Sequence, residues 1–526
     1  MTLPESIPES LTATSQISRP RLLTRDRKIA ALVYLFCLAA YASASSGRLR
    51  HHSDDCHYVW LAHGWMHGRL DLGGPPPHSN DWAEVQWLTM KDGRLIKASA
   101  VPGTNETFRT LKGEILTLPP DTVARRETKY YVSFPPFPAV LMAPFVAIWG
   151  LNTNDVLFTV LLAGLAPALL FLLLRRLVAR GDSRRSVSDD LWLTAVMAVG
   201  SVYYYSSVLG QVWYTAHIVS VLMVVLYVHA SLDARHPIWA GLFLVWGFLC
   251  RPEILFTAPF FVWEVTRAHT GDENDASRAI GEKINEELFA FYDGGLRTWQ
   301  AVLLTPVLLP FRIVRRAGLH LRYTWLKLDR KTVIKKLLLF AAPVALFGFG
   351  AGVLNILRFG KLTEFGHTYL NVRWTSRIQR YGLFNYTFLG RNLACLLALT
   401  PKIVSGVPFV QTSWHGLALW ITTPAFLFLL WPLVKGPLHR PLWLTTAFVA
   451  VPDLLYQNSG WVQFGYRFSL DYTVFLVCLL AIGGRPLTRW FKVLVIVGVI
   501  VNLFGAITFG RMPMFSYDGF FPPGID

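Results

Sequence analysis

Two adjacent carboxylates, Asp54 and Asp55, stand in the segment His51-His52-Ser53-Asp54-Asp55-Cys56-His57-Tyr58, just past the first long apolar run. Such a pair could hold a metal ion with His51, His52 or His57, or one member could act as a general base on a hydroxyl. Mutual repulsion raises one pKa of such a pair toward neutrality. A solvated loop with ordinary surface charges would look the same. Arg251-Pro252-Glu253 interrupts an otherwise mostly apolar stretch. Charge at membrane depth is costly and marks a functional site by default. A guanidinium there suits a phosphate, because its fork can bond two oxygens at once; a polar turn in which Arg251 pairs with Glu253 is the plain alternative.

Two further constellations are basic. Residues between Arg358 and Lys402 carry Arg358, Lys361, Arg373, Arg377, Arg380, Arg391 and Lys402 against one acid, Glu364. An anionic ligand outside would explain that excess, as would anionic lipid of the outer leaflet or a different topology for this loop. Further on lies Trp461-Val462-Gln463-Phe464-Gly465-Tyr466-Arg467-Phe468-Ser469-Leu470-Asp471-Tyr472. Arg467 and Asp471 are one helical turn apart and could pair; otherwise Arg467 is free to face a phosphate. The aromatics, Tyr466 among them, also suit an interfacial anchor. His217 stands alone in an apolar run and reads first as a helix-packing histidine.

The elements that must position these groups are membrane helices. Of 526 residues, 53% are hydrophobic and only 16% charged, against about 25% charged in soluble domains. No residue is charged between Lys28 and Arg48, Asp155 and Arg175, Lys336 and Arg358, or Lys492 and Arg511. Each gap is near the roughly 20 residues that cross a bilayer core as a helix. Runs this long lack the alternation of a barrel. The net charge of +17 fits basic loops facing anionic headgroups rather than nucleic acid. The five cysteines show no metal spacing, and the first apolar run is too long for a cleavable signal core.

The charges predict an all-α integral membrane protein with about eleven spans and a cytoplasmic N-terminal tail, residues 1–28. The expected spans are Ile29–Gly47, Asp155–Leu174, Leu191–Leu209, Trp213–Leu232, Pro237–Cys250, Ile254–Arg267, Leu337–Leu357, Trp414–Val434, Pro441–Tyr456, Phe468–Gly484 and Val493–Gly510. A first extracytoplasmic loop covers 48–133. The proline-rich Phe134–Gly150 is expected to lie at the outer interface, because a span there would put Arg175, Arg176, Arg180, Arg184 and Arg185 outside. Residues 29–267 form one transmembrane module and 337–526 a second. The cytoplasmic loop 268–336 between them has Trp299–Val314 as a candidate surface helix.

At these residues the chain resembles the GT-C superfamily of membrane glycosyltransferases, whose members include protein O-mannosyltransferases and lipid A aminoarabinose transferases. It is also similar to bacterial multi-span proteins of that kind. The matching stretches are Ser53-Asp54-Asp55 with Tyr58, Ala62 and Gly68-Arg69-Leu70; Phe134-Pro135-Pro136-Phe137-Pro138 with Gly150-Leu151-Asn152; Leu173-Leu174-Arg175-Arg176-Leu177; Arg251-Pro252; Asn355 with Arg358-Phe359-Gly360; and Phe464-Gly465-Tyr466-Arg467. They are spread over most of the chain and loose in identity.

The resemblance implies a GT-C-type bundle with juxtamembrane helices, sited in a bacterial cytoplasmic (inner) membrane with the active site extracytoplasmic. The donor would be a polyprenyl-phosphate-linked sugar and the acceptor a hydroxyl of unidentified identity. Asp54 or Asp55 would be the base. Arg251, Arg358, Arg467 and Arg373 would hold the carrier phosphate, with His217 and Tyr466 as further substrate contacts. No second acid is placed by the sequence, which leaves divalent-metal use open. Two other classes compete: a transporter or flippase of lipid-linked saccharides, which would need charges deep within several spans, and a non-catalytic scaffold acting through residues 268–336.

Overall fold

The computed structural model describes residues 19–101, 103–272, 275–293, 314–370, 372 and 374–519. The chain is mostly helical. Among the described residues, five helices are long and apolar enough to cross a membrane: Thr24–Arg50, Asp155–Ala179, Val212–Ala234, Arg330–Phe359 and Arg489–Thr508. Each coincides with an expected span.

Polar contacts of these helices define two ends of the bundle. Asp26 lies 3.6 Å from Arg175, while at the other end of the same two helices Ser53 N donates to Asp155 at 2.7 Å. Arg176 donates to the carbonyls of His229 and Leu232, near the end of Val212–Ala234. Lys336 donates to Ala234 O at 2.9 Å, and Arg358, at the far end of that helix, donates to Val132 O at 2.8 Å. Arg511 donates to Ala44 O and Ser45 O, both at 2.8 Å.

The expectation of about eleven spans is corrected. The remaining apolar stretches are shorter or broken. Val187–Ala198 and Val202–Ser207 are separated at Gly200, Pro237–Phe248 has 12 residues, Ala258–Ala268 has 11 and Leu470–Ile482 has 13. Residues 414–434 form a four-residue helix, Leu419–Thr422, and a 3-10 segment, Pro424–Leu430. Pro424 and Pro432 lack the N–H that a continuous helix needs. His439–Leu455 comes nearest, with 17 residues. The Phe137–Trp149 helix has 13 residues with Pro144 inside, too few for the roughly 20 of a span. Of the candidate surface helix, residues 299–313 lie outside the described residues.

The expectation of an all-α chain is also corrected. Residues 82–132 form a five-stranded antiparallel sheet in the order β4-β3-β2-β1-β5: β1 Trp82–Met90, β2 Leu95–Ala100, β3 Thr107–Thr110, β4 Ile115–Thr117 and β5 Val123–Val132. Leu88, Ala98 and Phe108 supply its own apolar face. Hairpin turns fall at Asp92-Gly93 and Lys112-Gly113, where both glycines have positive φ, as such turns favour. The sheet docks on the bundle through β1 and β5. Ala83 bridges Leu370, and Tyr131, Phe359 and Tyr369 pack into one cluster.

Candidate functional site

At the sheet-bearing end the loops enclose a cavity of about 600 Å3. Asp54, Asp55, Asp81, Gln211, Trp213 and Tyr214 are among its walls. A second cavity of about 260 Å3 shares Asp81, Trp213, Trp374 and Trp461 with it and adds His217, Arg251, Glu253, His367 and Arg467.

The Ser53–Asp55 turn is held from below. Asp155 accepts from Ser53 N at 2.7 Å and from Ser53 Oγ at 2.5 Å. Asp55 is buried and accepts from Asn80 Nδ2 at 3.0 Å and Gln211 Nε2 at 2.8 Å. Gly210 makes the second bond available. It has φ +78, and a Cβ there would stand 2.5 Å from Val156 Cα. Only glycine lets the chain pass so close to the Asp155–Ala163 helix and then deliver Gln211 to Asp55. Burial pushes the Asp55 carboxyl above its ordinary value, with Asn80, His78 and Gln211 pulling the other way. Asp54 is exposed, and its side chain makes no ion pair among the described residues. His57 is no cavity ligand. It stacks on Trp82 at 3.8 Å, its Nε2 lies 3.1 Å from Asn80 O, and burial lowers its pKa to about 3.

Asp81 was not anticipated. It follows Asn80, has φ +57, and accepts from Trp213 Nε1 at 2.9 Å. Burial raises its pKa to about 6, against the Trp213 hydrogen bond and the charge of Arg467. A carboxylate that titrates near neutrality is well matched to general-base work.

Arg467 is buried, with its guanidinium over the Tyr214 ring at 5.2 Å. One nitrogen donates to Val462 O at 3.2 Å, and its buried Nε has no hydrogen-bond partner. No carboxylate lies within ion-pair distance of it among the described residues. The pairing of Arg467 with Asp471 that helical spacing allows does not form. Asp471 is taken by Arg251, whose Nη2 lies 2.8 Å from its Oδ2.

Arg251 sits differently. The same Nη2 is 3.4 Å from Asp453 and 3.5 Å from Glu253, so three buried carboxylates surround one guanidinium. Glu253, Asp453 and Asp471 bring oxygens within 4.8 Å of one another, a spacing that could hold a cation. Arg251 already stands among them, so these residues fit a guanidinium better than a metal. Asp453, on His439–Leu455, was not anticipated either. His217 Nδ1 is 3.3 Å from Asp471 Oδ1, which makes His217 a wall of the second cavity rather than a plain packing residue. His367, on the same cavity, is lowered to about 4 by burial and then by the charge of Arg251, and is neutral near pH 7.

Arg358 and Tyr466 line neither of these two cavities. The Arg358 guanidinium donates to Val132 O and to Asn355 Oδ1 at 3.0 Å, fastening the Arg330–Phe359 helix to β5, and its buried Nε has no hydrogen-bond partner. Tyr466 packs with Cys395, Leu399 and Phe468. Arg373 lies outside the described residues.

The fold and the site together describe a mostly helical chain with five helices fit for a membrane and a carboxylate- and arginine-walled cavity at the sheet-bearing end. Comparison with protein-family models, with curated proteins and with solved structures finds no match for this chain.

Proposed function

We propose that this chain is a membrane glycosyltransferase of the GT-C kind, moving a sugar from a polyprenyl-phosphate carrier to an acceptor hydroxyl on the extracytoplasmic side. One observation carries the reading: a buried arginine without a carboxylate partner, Arg467, shares a cavity with Asp81, and Asp81 shares a wider one with Asp55.

In this reading Asp81 or Asp55 accepts the proton of the acceptor hydroxyl as its oxygen attacks the anomeric carbon. The bond from that carbon to the carrier oxygen breaks, and its electron pair leaves on the phosphate. Arg467 faces the charge gathered there, where a preorganised cation in a dry site is most effective. Arg251 has no vacant charge to offer and acts as a positioning residue, fixing the joint between the Pro237–Phe248 helix and Glu253. Arg358 is a structural fastening.

The test is transfer of labelled sugar from a panel of polyprenyl-phosphate sugars in proteoliposomes, comparing wild type with Asp54→Asn, Asp55→Asn and Asp81→Asn. The expected result is transfer by wild type and its loss in Asp81→Asn or Asp55→Asn with the fold intact. Transfer unchanged in all three variants would remove the carboxylates from the chemistry. The buried group of Arg251, Glu253, Asp453 and Asp471 also favours a second reading, a transporter of lipid-linked saccharides, since such proteins keep charges inside their helical bundle. Donor flux across the bilayer without transfer would select it.

A further inference from the structure

The cavity of about 600 Å3 that holds Asp54, Asp55 and Asp81 has a cation in its wall that the proposed chemistry does not use. Arg48 stands on the 3-10 turn Ser46–Arg50, at the sheet-bearing end of the Thr24–Arg50 helix. Its Nη1 is buried, and no nitrogen of its guanidinium meets a carboxylate or a hydrogen-bond acceptor among the described residues. A neighbouring helix brings a further charge to the same place. Beyond Arg489–Thr508 the chain reaches Gly510, another wall residue, where a Cβ would stand 3.9 Å from Arg48 Nη2. Arg511 follows at once. It donates to Ala44 O and Ser45 O, both at 2.8 Å, which ties it to the helix that carries Arg48.

The two guanidiniums repel each other. The fold thus holds like charges together in a partly dry place, which is unfavourable unless an anion joins them. Their place is distinct from that of Arg467. Arg48 lines the 600 Å3 cavity and Arg467 the 260 Å3 one, and Asp81 stands in the wall common to both. An anion at Arg48 and a carrier phosphate at Arg467 would therefore sit in different cavities with the same carboxylate within the walls of each. Rings supply the other half of a recognition surface. Tyr205, Trp213 and Tyr214 line the 600 Å3 cavity, and Tyr205 meets Tyr214 edge-to-face at 5.5 Å. A cavity of this size, with aromatic faces and a few charged donors, is the usual build of a small-ligand site, and such faces suit the apolar side of a sugar ring.

We propose that the 600 Å3 cavity binds a water-soluble sugar phosphate, with Arg48 on the phosphate, Arg511 adding its charge behind it, and the sugar among the rings beside Asp55 and Asp81. A phosphate monoester carries about −1.5 to −2 charges near neutral pH, which two guanidiniums match better than they match the single charge of a carboxylate. Naming that sugar phosphate as the acceptor rests on the glycosyltransferase reading; the binding itself does not. A lipid headgroup can present the same phosphate, and the test separates the two sources.

The test is equilibrium dialysis of the purified full chain in detergent against labelled glucose 6-phosphate and labelled glucose, with binding of a short-chain polyprenyl phosphate measured in nanodiscs alongside. The expected result is that glucose 6-phosphate binds at least about tenfold tighter than glucose and loses affinity as salt rises. Arg48→Gln should weaken that binding by about tenfold, Arg48→Lys should restore part of it, and Arg511→Gln should weaken it in the same direction. Polyprenyl phosphate should bind Arg48→Gln as it binds wild type. Equal binding of glucose 6-phosphate and glucose, no binding of either, or glucose 6-phosphate binding unchanged in Arg48→Gln would each overturn the proposal. So would a tenfold loss of polyprenyl phosphate in Arg48→Gln, which would assign the arginine to a lipid. If Arg48→Gln fails to fold, Arg511→Gln and the salt series still decide. Glucose 6-phosphate binding without any sugar transfer would sink the glycosyltransferase reading and leave this site standing; transfer without that binding would do the reverse.

Discussion

The two ends of the bundle both carry arginines, and they use them in opposite ways. At the end away from the sheet, the more buried guanidiniums are answered from within the chain. Arg175 pairs with Asp190 at 2.8 Å, Arg180 with Asp182 at 2.8 Å and Glu264 at 3.3 Å, and Arg267 with Glu264 and Asp233, both at 2.8 Å. Arg185 closes the tail of the Leu470–Ile482 helix by donating to Leu480 O at 2.8 Å and Ala481 O at 3.2 Å. At the sheet-bearing end Arg251 is answered by three carboxylates and Arg358 by two neutral oxygens, whereas Arg467 has a single neutral acceptor; the Nε of both Arg358 and Arg467 is buried without a hydrogen-bond partner. The difference teaches how to separate fastening from binding. A buried charge satisfied by its own fold stabilises a junction, and one left over is held for something the chain lacks.

Substitutions can break or sharpen this contrast. The largest effect on the fold is expected for Arg251→Gln, which strands three buried carboxylates. Losing one partner of a buried ion pair costs about 3–5 kcal/mol. A thermal melt in detergent should show that loss for Arg251→Gln and a comparable one for Arg175→Gln at the other end. Arg467→Gln should melt like wild type; a large drop in its melting temperature would class it with the fastenings.

The next effect is on chemistry. Asp81→Asn should lower transfer by about 100-fold or more, the usual weight of a general base, without changing the melt. Its pH profile carries a sign that can be checked. Because burial raises Asp81 to about 6, the basic form is populated above that pH, and it is lost as pH falls through it. Transfer should therefore rise along a limb centred near pH 6 and flatten above it; a limb centred near the ordinary aspartate value would exclude Asp81. The smallest expected effects are two. Trp213→Phe removes a donor that stabilises the ionised form, and should move that limb upward by roughly a few tenths of a unit. Asp54→Asn, at an exposed side chain, should lower transfer far less than Asp55→Asn does, measured in the same assay.

Long charge-free runs made the five spanning-length helices legible. Composition alone sufficed there, because a stretch such as 337–357 has no residue that must leave the bilayer. The other six expected spans failed because hydropathy counts apolar side chains and is blind to backbone breaks. Gly200 and the prolines at 424 and 432 interrupt stretches whose composition still reads as continuous. The sheet was missed for the opposite reason. Residues 48–133 were read by polarity, whereas Asp92-Gly93 between Trp82–Met90 and Leu95–Ala100 is a hairpin signal that a search for turns would find.

The site divides along the same line. Asp55, Arg251 and Arg467 stood out because each carries charge beside apolar sequence. Asp453 carried that signal too, as the one acid between Arg440 and Arg467. Asp81 carried none, since it sits in a polar loop and owes its altered chemistry to Trp213 and to burial, both arranged by the fold. Which arginine is left over could not be read at all. Arg467 and Arg251 look alike in sequence, and only the placement of Asp471 and Asp453 tells them apart.

The central claim is that Arg467 is held for a lipid-borne phosphate. It is tested most directly by binding of a labelled short-chain polyprenyl phosphate to the full chain in nanodiscs, comparing wild type, Arg467→Gln and Arg185→Gln. The account predicts that Arg467→Gln weakens binding by about tenfold or more, the worth of a charge-assisted contact, while Arg185→Gln leaves it unchanged. Equal affinity in wild type and Arg467→Gln, with both proteins folded, would contradict it.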